Sequence, residues 1–304
     1  MTREKIISNF KGILPPLVTP FNRRGNIDIG LFRENVRRYV GIGLAGVLVA
    51  GSTGEAPYLT ERERLRLVEA ARDLVRPPEL LLAGTGLEST NATLALSREA
   101  VARGADAVLL LTPCYYKVRM DSAALRRHFC TVAEALRRPV ILYNIPQFTG
   151  LRMSPETISA LSRHPNIFAL KESSGDLAYA RAILRKVRSG FRVVVGAPDI
   201  LLDALRAGAA GAVLGLADFA PEICVGIYEA FQKRQMKTAR ALQQRLTLLA
   251  QKIGTPYGVA GIKAALDLCG YAGGPPRDPL VPLDARGRRA VAAALREARA
   301  GLEF

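Results

Sequence analysis

Apolar residues in this chain fall into short blocks, and the blocks recur. ILPPLV (13–18), GVLVAG (46–51), LLLAGT (80–85), DAVLLLT (106–112), PVILYN (139–144), IFALKE (167–172), RVVVGA (192–197) and GAVLGL (211–216) form eight runs, each six or seven residues long. They are rich in Val, Ile and Leu and do not alternate with polar residues. Such runs predict strands buried on both faces, as in a parallel sheet. Between them the apolar positions take helical spacing, as in SPETISALSRH (154–164) and DLAYARAILRKVR (176–188). Several of these segments open with Ser, Thr or Asp, the residues that cap helix N-termini.

Eight strand–helix units predict a (β/α)8 barrel, a TIM barrel, with a C-terminal helical appendage. A doubly wound sheet is the structural alternative, but it seldom needs eight regular units. No Rossmann or Walker fingerprint is present, and the glycine-rich GLAGVLVAG leads into a strand rather than out of one. Beyond residue 217 the pattern becomes helical. Residues 221–254 read as one long helix and 256–270 as a shorter one. GYAGGPPRDPLVPL (270–283) reads as a connector, and 284–303 as a last helix. The expected division is a catalytic barrel over 1–231 and a helical domain over 232–304.

Composition narrows the function. The chain has 304 residues and is 49% hydrophobic, enough for a large core. No apolar run reaches the length of a membrane span, and MTREKIISNFKG does not resemble a signal peptide. Cys114, Cys130, Cys224 and Cys269 are scattered without a CxxC pair, which suits a reducing cytoplasm and offers no zinc site. His128 and His164 are the only histidines and stand without neighbouring ligands, so no metal is expected. A net charge of +16 raises nucleic acid as a partner. Yet acidic residues alternate with basic ones, as over Glu61–Arg76, and there is no basic tail. The charge reads as a solvated surface whose positive field attracts anionic metabolites.

In a barrel the chemistry gathers at the C-terminal ends of the strands. The runs end in GSTGE (Ser52, Thr53), TPCYY (Tyr115, Tyr116), LYNIP (Tyr143), LKESSGD (Lys171, Ser173) and Gly196. Lys171 is the anomaly, because an ammonium is costly to bury without a partner. Desolvation favours the neutral amine, a nucleophile that forms Schiff bases with ketones. The alternative is a lysine whose head emerges to pair with Glu172. Tyr143 either relays protons or is a core aromatic with its hydroxyl at the rim. The GSTGE turn is either a carboxylate cradle or a helix-capping loop.

PPLVTPF, GSTGE with LTERER, LLAGTG, TPCYY, LYNIP and ALKESSGD, taken together, resemble the dihydrodipicolinate synthase/N-acetylneuraminate lyase family in order and spacing over nearly the whole chain. The resemblance implies a metal-free class I aldolase acting on pyruvate and an aldehyde, commonly a homotetramer. No dissociable cofactor is implied, only a covalent Schiff base on Lys171. It implies Tyr143 as the proton-transfer residue, with Ser52 and Thr53 holding the pyruvoyl carboxylate and helping the proton relay, Ser52 as a catalytic residue. Tyr115 or Tyr116 completes the relay at a subunit contact, and Gly196 and Val213 line the pocket. Within the family the chain resembles 4-hydroxy-2-oxoglutarate aldolase of the mitochondrial type more closely than the synthase proper, on LLAGTGLEST, TPCYYKVRMDSAAL, HPNIFALKESSGD and GYAGGPPRDPL. In that aldolase Ser173 would help place the C4 hydroxyl. Phe148 falls where the synthase has an arginine that grips a carboxylate, and Thr53 where the aldolase has asparagine. A bulky Phe148 favours a less polar or aromatic aldehyde, unless Arg152 supplies the missing cation. Related lyases, including synthase-like, sugar-acid and aromatic hydratase-aldolase activities, are the enzyme alternatives. A barrel that only binds keto acids or nucleic acid is the non-enzyme alternative.

Overall fold

The computed structural model describes residues 1–301. All eight apolar runs form strands. They are β1 (Gly12–Leu14), β2 (Gly46–Val49), β3 (Leu80–Gly84), β4 (Ala107–Leu111), β5 (Val140–Asn144), β6 (Ile167–Glu172), β7 (Arg192–Val195) and β8 (Gly211–Val213). Every neighbouring pair is parallel, in the order β1-β8-β7-β6-β5-β4-β3-β2. The two ends meet where Ala45 N–H donates to Ile13, Leu17 N–H to Leu48 and Leu48 N–H to Pro15, closing the barrel. The run 13–18 contributes only Ile13 and Leu14 to the strand because Pro15 and Pro16 lack the N–H that a ladder needs.

Alternation along the strands sorts side chains into two layers. Ile141, Tyr143, Ala169 and Val194 pack inside the barrel with Leu48, Leu109 and Val213. Leu142, Leu170 and Val193 face outward against Phe129, Ile158 and Ile183 of the surrounding helices. With a side-chain period of two, Lys171 shares the inner side with Ala169. Glu172 shares the outer side with Leu170.

The helix starts are those the sequence marks. Ser154, Asp176 and Asp121 each accept a hydrogen bond from an N–H two or three residues into the helix that follows. Thr60 and Glu63 form a reciprocal capping box on the helix Glu61–Arg72. The segment 221–254 is not one helix. Pro221–Gln232 and Met236–Leu249 are separate helices packed on each other. They are joined through Arg234, whose φ of 59° reverses the chain. Arginine carries no signal for that conformation, so the break was not legible. The wide turn Ala250–Gly254 leads into Thr255–Leu268, which is kinked at Gly258, and Ala285–Arg299 is the last helix. No helix of the described residues is long and apolar enough to cross a membrane.

Candidate active site

Strand register places Lys171 beside Tyr143 on β5 and beside Val194 on β7. Lys171 is 4% exposed, and its Nζ lies 4.4 Å from the Tyr143 ring centre. Among the described residues it forms no ion pair within 4.0 Å. The alternative partner, Glu172, faces the other way: its Oε1 accepts from Asn144 Nδ2 at 3.2 Å and from Ser174 N–H at 2.8 Å. Burial pushes the Glu172 carboxyl above its ordinary value. The Tyr143 hydroxyl reaches Ser52 Oγ at 3.3 Å, tying β5 to the turn after β2.

That turn, Ser52–Glu55, is closed by Glu55 N–H donating to the Ser52 carbonyl at 3.1 Å. Neither the Ser52 nor the Thr53 N–H donates to another main-chain group among the described residues. Thr53 packs against Gly215, where an added Cβ would stand 3.1 Å from Thr53 Oγ1. Gly196 follows β7, and a Cβ there would lie 1.9 Å from Ser173 Oγ and 3.1 Å from Lys171 Cε. Any larger residue there would force the Ser173 side chain to move. Ser173 Oγ is buried and has no hydrogen-bond partner among the described residues. Val213 is an inner residue of β8.

The remaining candidates lie at the rim. Tyr115 and Tyr116 are 77% and 69% exposed and pack edge-to-face on each other. Neither is hydrogen-bonded to Ser52 or Tyr143 within the chain. Glu88, which the sequence reading passed over, holds their loop by accepting from the N–H groups of Cys114 and Tyr115, both at 2.9 Å. A cavity of about 320 Å³ runs from Ser52 and Tyr143 to Glu88, Cys114 and Arg64. Phe148, on the short helix Pro146–Thr149, is 71% exposed. Arg152 is already engaged: it pairs with Asp176 at 2.7 Å and stacks 3.9 Å from the Tyr179 ring centre. Arg152 thus carries its charge beside Asp176 at the surface.

Asp218 is a second group the sequence did not mark. It is fully buried after β8, with Oδ2 accepting Val18 N–H at 3.2 Å and Oδ1 unpartnered. Burial pushes its carboxyl well above the ordinary range, against the pull of the Val18 N–H and of the Lys171 charge. Nothing in LADFA distinguishes it from a surface aspartate. His128 is buried beside Thr90, with Nδ1 2.9 Å from Thr90 Oγ1, and burial brings it down to about 4. Among the described residues no group of three or more His, Cys, Asp or Glu is placed to hold a metal ion.

A closed parallel barrel with a buried lysine at the strand mouth beside a hydroxyl pair has the form of an enzyme barrel, whose chemistry gathers at that end. The family profile described as "Dihydrodipicolinate synthetase family" matches residues 9–298, and the chain belongs to that family. It is 37% identical over 273 residues to a 4-hydroxy-tetrahydrodipicolinate synthase of Methanopyrus kandleri, covering 89% of this chain and 90% of that one. Its structure is similar to a dihydrodipicolinate synthase of Bacillus anthracis, with TM-score 0.91 and 30% identity, over 97% of this chain and 99% of that one. It is also similar to YagE, a prophage protein of E. coli solved in complex with pyruvate, with TM-score 0.90 and 30% identity, over 95% and 99% of the two chains. The chain is accordingly an enzyme, a carbon–carbon lyase of the class I aldolase type.

Proposed function

We propose that the chain catalyses reversible retro-aldol cleavage of a 4-hydroxy-2-oxo acid, with 4-hydroxy-2-oxoglutarate giving pyruvate and glyoxylate. The observation that carries the proposal is the Lys171–Tyr143–Ser52 constellation: an unpaired buried amine beside a hydroxyl pair. The Lys171 amine adds to the C2 carbonyl, and water leaves to give an iminium. Ser52, Thr53 and their N–H groups hold the adjacent carboxylate. Tyr143 takes the proton of the C4 hydroxyl as the C3–C4 bond breaks, and the aldehyde departs. The electron pair remains as an enamine, which is protonated at C3. Water then hydrolyses the iminium to release pyruvate and the free amine. Ser173 Oγ, buried without a partner among the described residues, is suited to the C4 hydroxyl.

Phe148 and the engaged Arg152 support an aldehyde other than the one a synthase grips by arginine. The names of the relatives favour a second reading, synthase chemistry on an amino-aldehyde acid. Residues 1–231 form the catalytic unit in this proposal and 232–304 its helical appendage. The protein works as a cytoplasmic homotetramer, with the exposed Tyr115, Tyr116 and Val118 at a subunit contact.

The test is glyoxylate release from 4-hydroxy-2-oxoglutarate, with Lys171→Ala as the blank. Rapid release supports the cleavage. No release, with pyruvate still trapped on Lys171, keeps the Schiff base and overturns this substrate.

A further inference from the structure

The Ser52–Glu55 turn is held from behind by the C-terminal segment. The Glu55 carboxylate is 0% exposed and lies 2.5 Å from Lys263 Nζ. Its other oxygen accepts the Arg277 N–H at 2.8 Å. Lys263, itself 1% exposed, also donates to the carbonyls of Thr19 at 2.8 Å and Pro275 at 2.9 Å. The ammonium thus hydrogen-bonds two main-chain carbonyls and is ion-paired with Glu55. Thr19 passes the restraint on, because its Oγ1 donates to the Gly54 carbonyl at 2.7 Å. The Arg277 guanidinium donates to the carbonyls of Gly25 and Tyr58 and to both oxygens of Glu63. The Phe21 ring lies against both cations, 4.5 Å from Lys263 Nζ and 4.3 Å from Arg277 Cζ.

The Glu55 main chain sits at φ 59° and ψ 35°, a region that side-chain-bearing residues seldom enter. Such backbones persist where the surroundings over-determine them, and they cluster at functional sites. A buried ion pair contributes little net stability, since desolvation offsets the attraction. Its directional contacts nevertheless fix where the turn stands. Ile262, next to Lys263, and Thr53 also press on the same glycine: a Cβ at Gly215 would be 3.0 Å from Ile262 Cδ1 and 3.1 Å from Thr53 Oγ1.

We infer that Lys263, through its buried contact with Glu55, is a positioning residue that sets the Ser52–Thr53 turn in register to receive the substrate carboxylate. The inference rests on the proposed function of that turn. The C-terminal segment thereby acts on the reaction without supplying a group that touches substrate.

The experiment uses the full chain as wild type, Glu55→Gln and Lys263→Met. It reads the pyruvate concentration that half-saturates borohydride trapping on Lys171, together with Tm. Both variants are expected to raise that concentration by about tenfold to a hundredfold, the scale of a small misplacement of binding groups. The measurement is made well below each Tm. If Glu55→Gln lowers Tm but half-saturates at the wild-type concentration, the pair is only structural and the inference is overturned. Should Lys263→Met not fold, Glu55→Gln, nearly the same shape as Glu, carries the test. A wild type that traps no pyruvate overturns the proposed function and this inference with it. Trapping in wild type with unchanged variants overturns this inference alone.

Discussion

Lys171 Nζ stands 4.4 Å from the centre of the Tyr143 ring, and the two residues are register partners on adjacent strands. The side chains therefore meet through the sheet itself and not through a loop, so their spacing is set by rigid backbone. On this arrangement, pyruvate plus borohydride should add one reduced pyruvate to the peptide containing Lys171. Lys171→Ala should abolish both the adduct and turnover. Mass spectrometry reads the result, and a labelled peptide elsewhere would refute the assignment.

Tyr143→Phe keeps the ring against Lys171 and removes only the hydroxyl that reaches Ser52 at 3.3 Å. Turnover should fall by about 10²- to 10⁴-fold, the usual contribution of a positioned proton-transfer group. Pyruvate trapping should survive in part, because the amine and the carboxylate cradle remain. Parallel single-turnover and trapping assays separate the two effects. Equal loss in both would assign Tyr143 to forming the Schiff base and not to C–C cleavage.

Gly196→Ala tests the packing of the pocket. Its Cβ would stand 1.9 Å from Ser173 Oγ and 3.1 Å from Lys171 Cε, so one of those side chains must move. The variant should remain folded and lose pyruvate trapping. Circular dichroism with mass spectrometry checks this, and normal trapping would show that Lys171 does not depend on the glycine gap.

Glu63 gives a pH prediction. Its hydrogen bonds from Arg277 hold the carboxyl down from 4.5 to about 2. A depressed folded value means that the unfolded chain binds the proton first. The stabilisation is therefore complete above 4.5 and is lost as pH falls toward 2. Glu63→Gln should lower Tm at neutral pH, and its gap from wild type should close as the medium is acidified through that window. A gap constant with pH would place the effect in packing and not in ionisation.

Much of this was legible in the sequence for local reasons. A strand buried on both faces must be apolar throughout, so all eight runs announced themselves. Helix starts were marked because Thr60, Ser154 and Asp176 satisfy orphan N–H groups in their own neighbourhood. The break at Lys233–Gln235 was hidden, because a left-handed arginine leaves no mark in composition. Phe148 was marked only by the family resemblance, as the residue standing where the synthase has an arginine, and its exposure was not foreseeable. Arg152 read as a spare cation only until Asp176 and Tyr179 were seen to engage it.

The sequence by itself determined the number of strand units, their order, and which residues end them, because each is written in a few contiguous positions. Only the tertiary structure decided which side of β6 Lys171 takes, since a shift of one residue in register would exchange it with Glu172. Only the tertiary structure paired Glu55 with Lys263 and left Ser173 Oγ, Glu172 Oε2 and Asp218 Oδ1 buried without partners among the described residues. Those outcomes depend on barrel closure and on helices packed from distant parts of the chain. No local pattern specifies how a buried charge or hydroxyl will be satisfied; that follows from which groups the closed fold brings within reach.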